Sequence, residues 1–340
     1  MRRHRWLYWI KVFAGVALVV ILFQKINQRD SILAILRVVD WMKVGICAAL
    51  VIPNIYVAYL KWQYLLKKRF SNVSRREVFG SLLFGYTLGM ITPGRLGELG
   101  RGLFFQDKDR MTITGLNVLD KVASQVVIIT LGGFALLYML VTGQGDWHFS
   151  NAIWIFSIGV ALLLGLWMIV LNPRLIQKLT RRLQARFSAA SKLRSLIAAF
   201  ENLSFQDSAV ILGLSLLWYL LIIFQYHIVV SAFTDVSVGE SYLAVSAMLL
   251  IKTLLPFTFG DLGIREGVAM YFYSRFGIPE AAVFNASLLI FLFNLLLPAL
   301  CGIYYVFQLK ETTAESPEPL DEPAEEIIPQ PSNGGKWPLR

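Results

Sequence analysis

Residues 91–102 read ITPGRLGELGRG and interrupt an apolar run at the point where a helix embedded in lipid would continue. Pro93 lacks an amide hydrogen, and Gly94 and Gly97 favour opening the backbone, so an ordinary membrane helix cannot pass smoothly through this stretch. Hydrocarbon cannot satisfy the groups so freed, and such a break is tolerated only inside protein or beside a wet cavity. A partial echo, TFGDLGIREG, occupies residues 258–267 and repeats the Gly-x-Leu-Gly pattern at Gly260, Leu262 and Gly263. Taken singly, either stretch also reads as a surface turn between two helices. Two of them at corresponding places in two halves of the chain favour broken helices that line a polar site within the membrane.

Working outward, the composition excludes a soluble domain: 56% of the 340 residues are hydrophobic and mean hydropathy is +0.59. That is the composition of a polytopic all-α membrane protein. The formal charge of +10 conceals a split, because residues 311–340 carry seven acidic and two basic side chains, leaving +15 on the rest. A basic membrane protein reflects topology and anionic headgroups more readily than nucleic acid. Cys47 and Cys301 both fall in apolar runs, and His4, His148 and His227 are scattered, so neither a disulfide scaffold nor a metal site is expected and no cofactor is implied.

The basic residues set the expected topology. Arg2, Arg3 and Arg5 precede an apolar run at 6–23, read as an uncleaved first span with a cytoplasmic N-terminus. A second span is expected at 41–60, followed by Lys61, Trp62 and Tyr64 at the interface and a positively charged cytoplasmic loop through Arg76. Residues 78–91 supply about 21 Å of helix, short of a hydrocarbon core of roughly 30 Å. A re-entrant arm that turns at 92–97 and returns through Leu103 and Phe104 fits better. Spans at 116–141 and 153–171 flank a loop at 143–151 that has no Lys or Arg. Residues 172–208 form a basic amphipathic segment expected on the cytoplasmic face, with a solvated linker as the alternative. A span at 209–233, a second hairpin at 242–276 and a span at 281–307 follow. The acidic, proline-rich tail at 311–340 reads as disordered and cytoplasmic. Counting sides gives about six full spans plus two re-entrant hairpins, with repeat one at about 41–141 and repeat two at about 209–307 in inverted topology.

Around the first break lie Arg95, Glu98 and Arg101, with Asp120 and Lys121 in the next span; the second has Lys252, Asp261, Arg265 and Glu266. Ionisable groups at such depth pair with one another or line a path. The functional reading gives Arg95, Arg101 and Arg265 to a lipid phosphate, because guanidinium binds phosphate bidentately and stays charged. Helix N-termini at Gly97 and Gly263 would add backbone donors. Glu98, Asp261 and Glu266 would hold the arginines in the empty site or take up a coupling proton. The alternative is a set of internal ion pairs that only lock the halves together. Asn285, Asn294 and Thr253 are weaker signals. Gln225 and His227 read as interior polar groups and the Trp and Tyr residues mainly as interfacial anchors.

At these motifs the chain resembles the lysylphosphatidylglycerol synthase transmembrane-region family of flippase-like membrane proteins. The residues that carry the resemblance are Lys61-Trp62 before Leu65-Leu66, then Pro93-Gly94-Arg95-Leu96-Gly97-Glu98 with Arg101. They continue with Asp120-Lys121, and with Gly260-Asp261-Leu262-Gly263-Ile264-Arg265-Glu266 and Gly277. The resemblance covers about residues 6–310 and implies a bundle of membrane segments with re-entrant helices. It also implies lipid movement between leaflets, which in the best-studied members is that of aminoacylated phosphatidylglycerol. Lys121 stands where relatives tend to have Arg, and no aminoacyl-transferase domain follows the last span, so lipid synthesis is not expected.

The leading expectation is therefore a translocator for an anionic phospholipid or polyprenyl-phosphate-type lipid in the inner membrane. No GxxxxGK[ST] motif is present, so any drive comes from an ion gradient, the membrane potential or consumption of the lipid. A lipid-phosphate transferase is the second reading, using Glu98, Asp261 and Glu266 as base or metal ligands. A scaffold recruiting a cytoplasmic lipid-modifying enzyme is the third.

Overall fold

The computed structural model describes Gln24 and residues 39–92, 94–143, 152–171, 204–255 and 261–314. The first expected span, Pro93, the loop at 144–151, the basic segment up to residue 203, Gly260 and the tail beyond Ala314 lie outside these residues. Among the described residues all regular structure is helical. Helices α1 (Trp41–Ala49) and α2 (Val51–Arg69) run nearly end to end, and α3 (Arg75–Met90) leads through a turn into a 3-10 segment (Leu96–Phe104) and then α4 (Arg110–Val141). Next come α5 (Ala152–Leu171), α6 (Phe205–Ser231), α7 (Val238–Leu254), α8 (Ile264–Ser274) and α9 (Glu280–Phe291). A π segment (Leu292–Leu296) joins α9 to α10 (Leu297–Ala314).

Local chemistry sets the helix starts. Asp40 and Asp109 accept backbone N–H groups at the heads of α1 and α4. Ser74–Glu77, Ser204–Asp207 and Ser237–Glu240 form reciprocal capping boxes on α3, α6 and α7. Four helical stretches among the described residues are long and apolar enough to cross a membrane: Trp41–Arg69, Arg110–Val141, Phe205–Ser231 and Glu280–Gln308. Large apolar side chains stand exposed along the bundle, among them Ile52, Trp154, Leu162, Met168 and Tyr304. A water-soluble monomer does not carry an apolar surface on this scale. The chain is a multi-pass membrane protein.

Two boundaries differ from expectation. The second span does not end at residue 60, because α2 continues unbroken to Arg69 with one buried face at Asn54, Val57, Ala58, Lys61, Trp62, Leu65 and Leu66. Lys61 and Trp62 are therefore interior residues rather than the start of an interfacial loop, and Trp62 is sealed, its indole N–H donating to Ser81 at 2.9 Å. Tyr226 and Tyr273 are likewise buried rather than interfacial. At the other end, α10 runs to Ala314, four residues into the stretch assigned to the tail.

Glycines set the closest helix contacts. Gly132 of α4 lies over α7, where an added Cβ would stand 2.6 Å from the Ser246 carbonyl oxygen and 2.5 Å from Leu250 Cβ. Gly302 of α10 lies over α3 in the same way, against the Leu83 carbonyl and Thr87, and Thr87 Oγ1 donates to the Ala299 carbonyl at 2.7 Å. In both places the notch faces two residues four apart on the partner helix. Each hairpin's leading arm is thus clamped by the helix that follows the other hairpin. Gln225 ties the bundle together from α6, bonding Asn54 of α2 and Asn294 of the π segment. These are interior polar contacts of the kind expected for Gln225 and Asn294.

Candidate functional site

The first break is a hairpin, and its register follows from glycine spacing. A 3-10 segment has three residues per turn, so Arg95, Glu98, Arg101 and Phe104 form one row. The last three lie along α3 at Gly89, Gly85 and Gly80, where an added Cβ would come within 2.7 Å of the Glu98, Arg101 and Phe104 side chains respectively. Any larger residue on that face of α3 would push the charged row away. The turn is held by Thr92, whose hydroxyl donates to the Leu88 carbonyl at 2.9 Å and accepts the Gly97 N–H at 2.6 Å. Gly94 and Arg95 both adopt left-handed backbone, with φ of 59° and 57°. At the base, Lys108 Nζ reaches Glu77 Oε1 at 2.7 Å, so the returning segment ends level with where α3 began. Burial opposes the charge on Lys108, but hydrogen bonds to Glu77 and Asp107 outweigh it and hold the ammonium pKa above the usual lysine value.

The second break shares one backbone feature with the first. Asp261 is left-handed at φ 60°, the position equivalent to Arg95 in the two Gly-x-Leu-Gly motifs, and Gly263 has φ 82°. Lys252 near the end of α7 closes on Asp261 at 2.8 Å. The Gly263 N–H is taken by Glu266 Oε2 at 2.6 Å. Both backbone donors proposed from sequence, at Gly97 and Gly263, are therefore already satisfied within the protein.

The breaks meet. A cavity of about 440 Å³ is lined by Gly94, Arg95, Glu98 and Arg101 of the first and by Lys252, Thr253 and Asp261 of the second. Helix α4 adds Asp120, Lys121, Ser124 and Gln125, α2 adds Lys61, and Tyr86, Trp218 and Tyr219 complete the aromatic wall. Charges of opposite sign alternate along it. Lys61 pairs with Asp120 at 2.6 Å and donates to Ser124 and Ser215. Asp120 also faces Arg101 at 3.4 Å, and Arg101 reaches Glu98 at 3.5 Å while its guanidinium lies over Trp62. Glu98 in turn holds Arg95 and Lys121. The row is graded in depth: the Lys61 and Arg101 side chains are 6% and 5% exposed, whereas Lys252, Arg95 and Lys121 are 17%, 22% and 42% exposed.

Of the residues singled out from sequence, Arg95, Glu98, Arg101, Asp120, Lys121, Lys252 and Asp261 line this one cavity. Arg265 and Glu266 do not. They pair with each other, Arg265 Nε donates to Ser287 at 3.1 Å, and the guanidinium lies over Phe291. Glu266 also caps α8, so this pair locks the second hairpin to α9. Lys61, Tyr86, Trp218 and Tyr219 escaped the sequence reading of the site. For Lys61 the signal was available: it falls on the buried helical face with Ala58 and Leu65, three and four residues away.

Comparison with curated proteins and with solved structures found no match. A family model described as the lysylphosphatidylglycerol synthase TM region matches residues 8–302. That match includes every residue lining the cavity, and the chain belongs to this family of membrane proteins.

Proposed function

We propose that the protein is a lipid translocator that moves an anionic, phosphate-bearing lipid between leaflets, its headgroup passing through the cavity between the two breaks. The observation that carries this reading is the joining of both interrupted segments at one cavity that holds five cationic side chains and three carboxylates. Charged groups in a bundle of apolar helices are costly, and they pair with one another or line a path. Here Arg95, Lys121 and Lys252 face the opening while acyl or prenyl chains remain in lipid. On this reading the two hairpins are re-entrant arms of an inverted repeat, residues 41–141 and 209–307, with both termini cytoplasmic in the inner membrane. The chain's contribution is binding and passage rather than bond chemistry, with the drive supplied by a gradient, the membrane potential or consumption of the lipid.

Purified protein reconstituted into vesicles should accelerate the exchange of a fluorescent anionic lipid, read by quenching of the outer leaflet, and Arg95→Ala should slow it. Proteoliposomes no faster than empty vesicles across several lipid classes would refute the reading. In a cysteine-free background, Lys108→Cys should react with an impermeant maleimide only from the cytoplasmic side and Val238→Cys only from the outside. Labelling of both from one side would remove the inverted arrangement.

A further inference from the structure

We infer that the cavity selects headgroups carrying two negative charges, a terminal phosphate monoester, over singly charged phosphodiesters. This rests on the headgroup-binding reading above and adds the charge class of the ligand. Lys61, Arg95, Arg101, Lys121 and Lys252 face Glu98, Asp120 and Asp261, an excess of two positive charges. The neighbouring Arg265–Glu266 pair is internally balanced and leaves that excess unchanged. The excess is divided along the row, one positive charge at each end. Asp120 lies between Lys61 and Arg101 at the sealed end. Arg95, Lys121 and Lys252 come from three different parts of the chain, are the more exposed cations of the row, and share only Glu98 and Asp261. Arg95 Nε is buried there with no hydrogen-bond partner, a donor left over for a ligand oxygen.

A phosphate monoester matches this arrangement in charge and shape. Its second pKa of about 6 gives it a charge of roughly −1.5 to −2 at neutral pH, and it presents three terminal oxygens to three cations. A phosphodiester carries one charge and two such oxygens, so it leaves the site positive. Charge mismatch is felt strongly where the effective dielectric is well below that of water.

The test is calorimetric titration of the detergent-purified full chain at pH 7.5 with dihexanoyl phosphatidic acid, geranyl monophosphate, dihexanoyl phosphatidylglycerol and dihexanoyl phosphatidylcholine. At least one of the two monoesters should bind tenfold or more tighter than phosphatidylglycerol, and which one does so identifies a diacylglycerol or a prenyl tail. Lys252→Gln removes one charge of the excess and should narrow the preference to threefold or less. If that variant does not fold, the wild-type comparison decides by itself. Monoesters and phosphatidylglycerol binding within threefold of each other on wild type would overturn the charge selection and leave the headgroup reading standing. No binding by any anionic lipid would overturn both.

Discussion

Glu98→Gln is the substitution that reads the charged row most directly. The Glu98 side chain is 1% exposed and its carboxylate faces Arg95, Arg101 and Lys121. The amide keeps the shape and removes the charge. Arg101 retains Asp120 at 3.4 Å, so the loss falls on Arg95 and Lys121, which make no other ion pair among the described residues. Lys121 is well exposed, and solvent screening discounts its share. Arg95 is then the main loser. Leaving one buried partner uncompensated costs about 3–5 kcal/mol, and the partial exposure of Arg95 places the expectation at the lower end, near 3 kcal/mol. At roughly 2–4 °C per kcal/mol, the unfolding midpoint should fall by about 6–12 °C. Tryptophan fluorescence during heating in detergent at one fixed scan rate measures it, since unfolding of such proteins is commonly irreversible. Glu98→Gln/Arg95→Gln restores the wild-type charge balance and should recover at least half of the loss. A Glu98→Gln midpoint within about 2 °C of wild type, or a double variant no better than the single, would show that these pairs do not hold the break together.

Gly97→Ala sets a Cβ against the Leu88 carbonyl, a backbone atom that cannot move aside, so it should cost more than the usual overpacking penalty of about 1–3 kcal/mol and speed proteolysis within residues 91–105. Gly213→Ala meets nothing within 4 Å and should instead raise stability by up to about 1 kcal/mol through helix propensity. Lys61→Met strands Asp120 against Arg101 alone and should lower the midpoint more than Lys61→Met/Asp120→Asn does, a comparison of melting curves that fails if the two variants melt together. The base of the first hairpin should open in acid. Burial alone would raise the Glu77 pKa, but hydrogen bonds from Lys108 and Ser74 outweigh it and hold it below the ordinary glutamate value. A lowered carboxylate pKa contributes stability that is intact above the ordinary value and is lost as pH falls through the lowered one. Hydrogen exchange at 105–109, corrected for its intrinsic pH dependence, should therefore be constant from pH 8 to pH 6 and faster only in strong acid; acceleration already at pH 6 would contradict it.

The breaks were legible in the sequence because backbone chemistry marks them: a proline and a Gly-x-Leu-Gly step have few places to go inside an apolar run. The left-handed residues, however, include Arg95, a side chain that a propensity argument would not choose for that backbone, beside Asp261, a type enriched there. Each is held there by an ion pair, Arg95 to Glu98 and Asp261 to Lys252. Lys61 was misread because charge was given priority over period: it opens a run of basic residues, and the rule that assigns such runs to a cytoplasmic loop moved the end of α2 nine residues too early. Arg265 and Glu266 went the other way. Adjacent opposite charges beside a glycine look like a binding motif in sequence, yet in space they satisfy each other and the head of α8. Sequence supplies the donors, and only the packing decides which of them are already taken.

That distinction also bears on where a translocating motion can occur. Helix α4 belongs to both hairpins: near its start the Arg110 carbonyl sits against Gly102 of the 3-10 segment, and its far half lies in the Gly132 notch on α7. The notch brings backbone against backbone, a contact that tolerates little sliding. The contacts between α4 and the first hairpin near the cavity are of another kind, Arg101 with Asp120 and Lys121 with Glu98. Ion pairs can be exchanged for a phosphate at comparable energy, whereas a glycine notch has no substitute partner. If the first hairpin moves, the charged seam between it and α4, which lies within the first repeat rather than between the two, is therefore the interface that yields, and on the proposed reading it is the seam that a headgroup would enter. Binding and movement would be coupled through the same side chains. Gly132→Leu should accordingly abolish folding, whereas Lys121→Gln should preserve the fold and alter transport. A folded Gly132→Leu protein with normal transport would place the moving interface elsewhere.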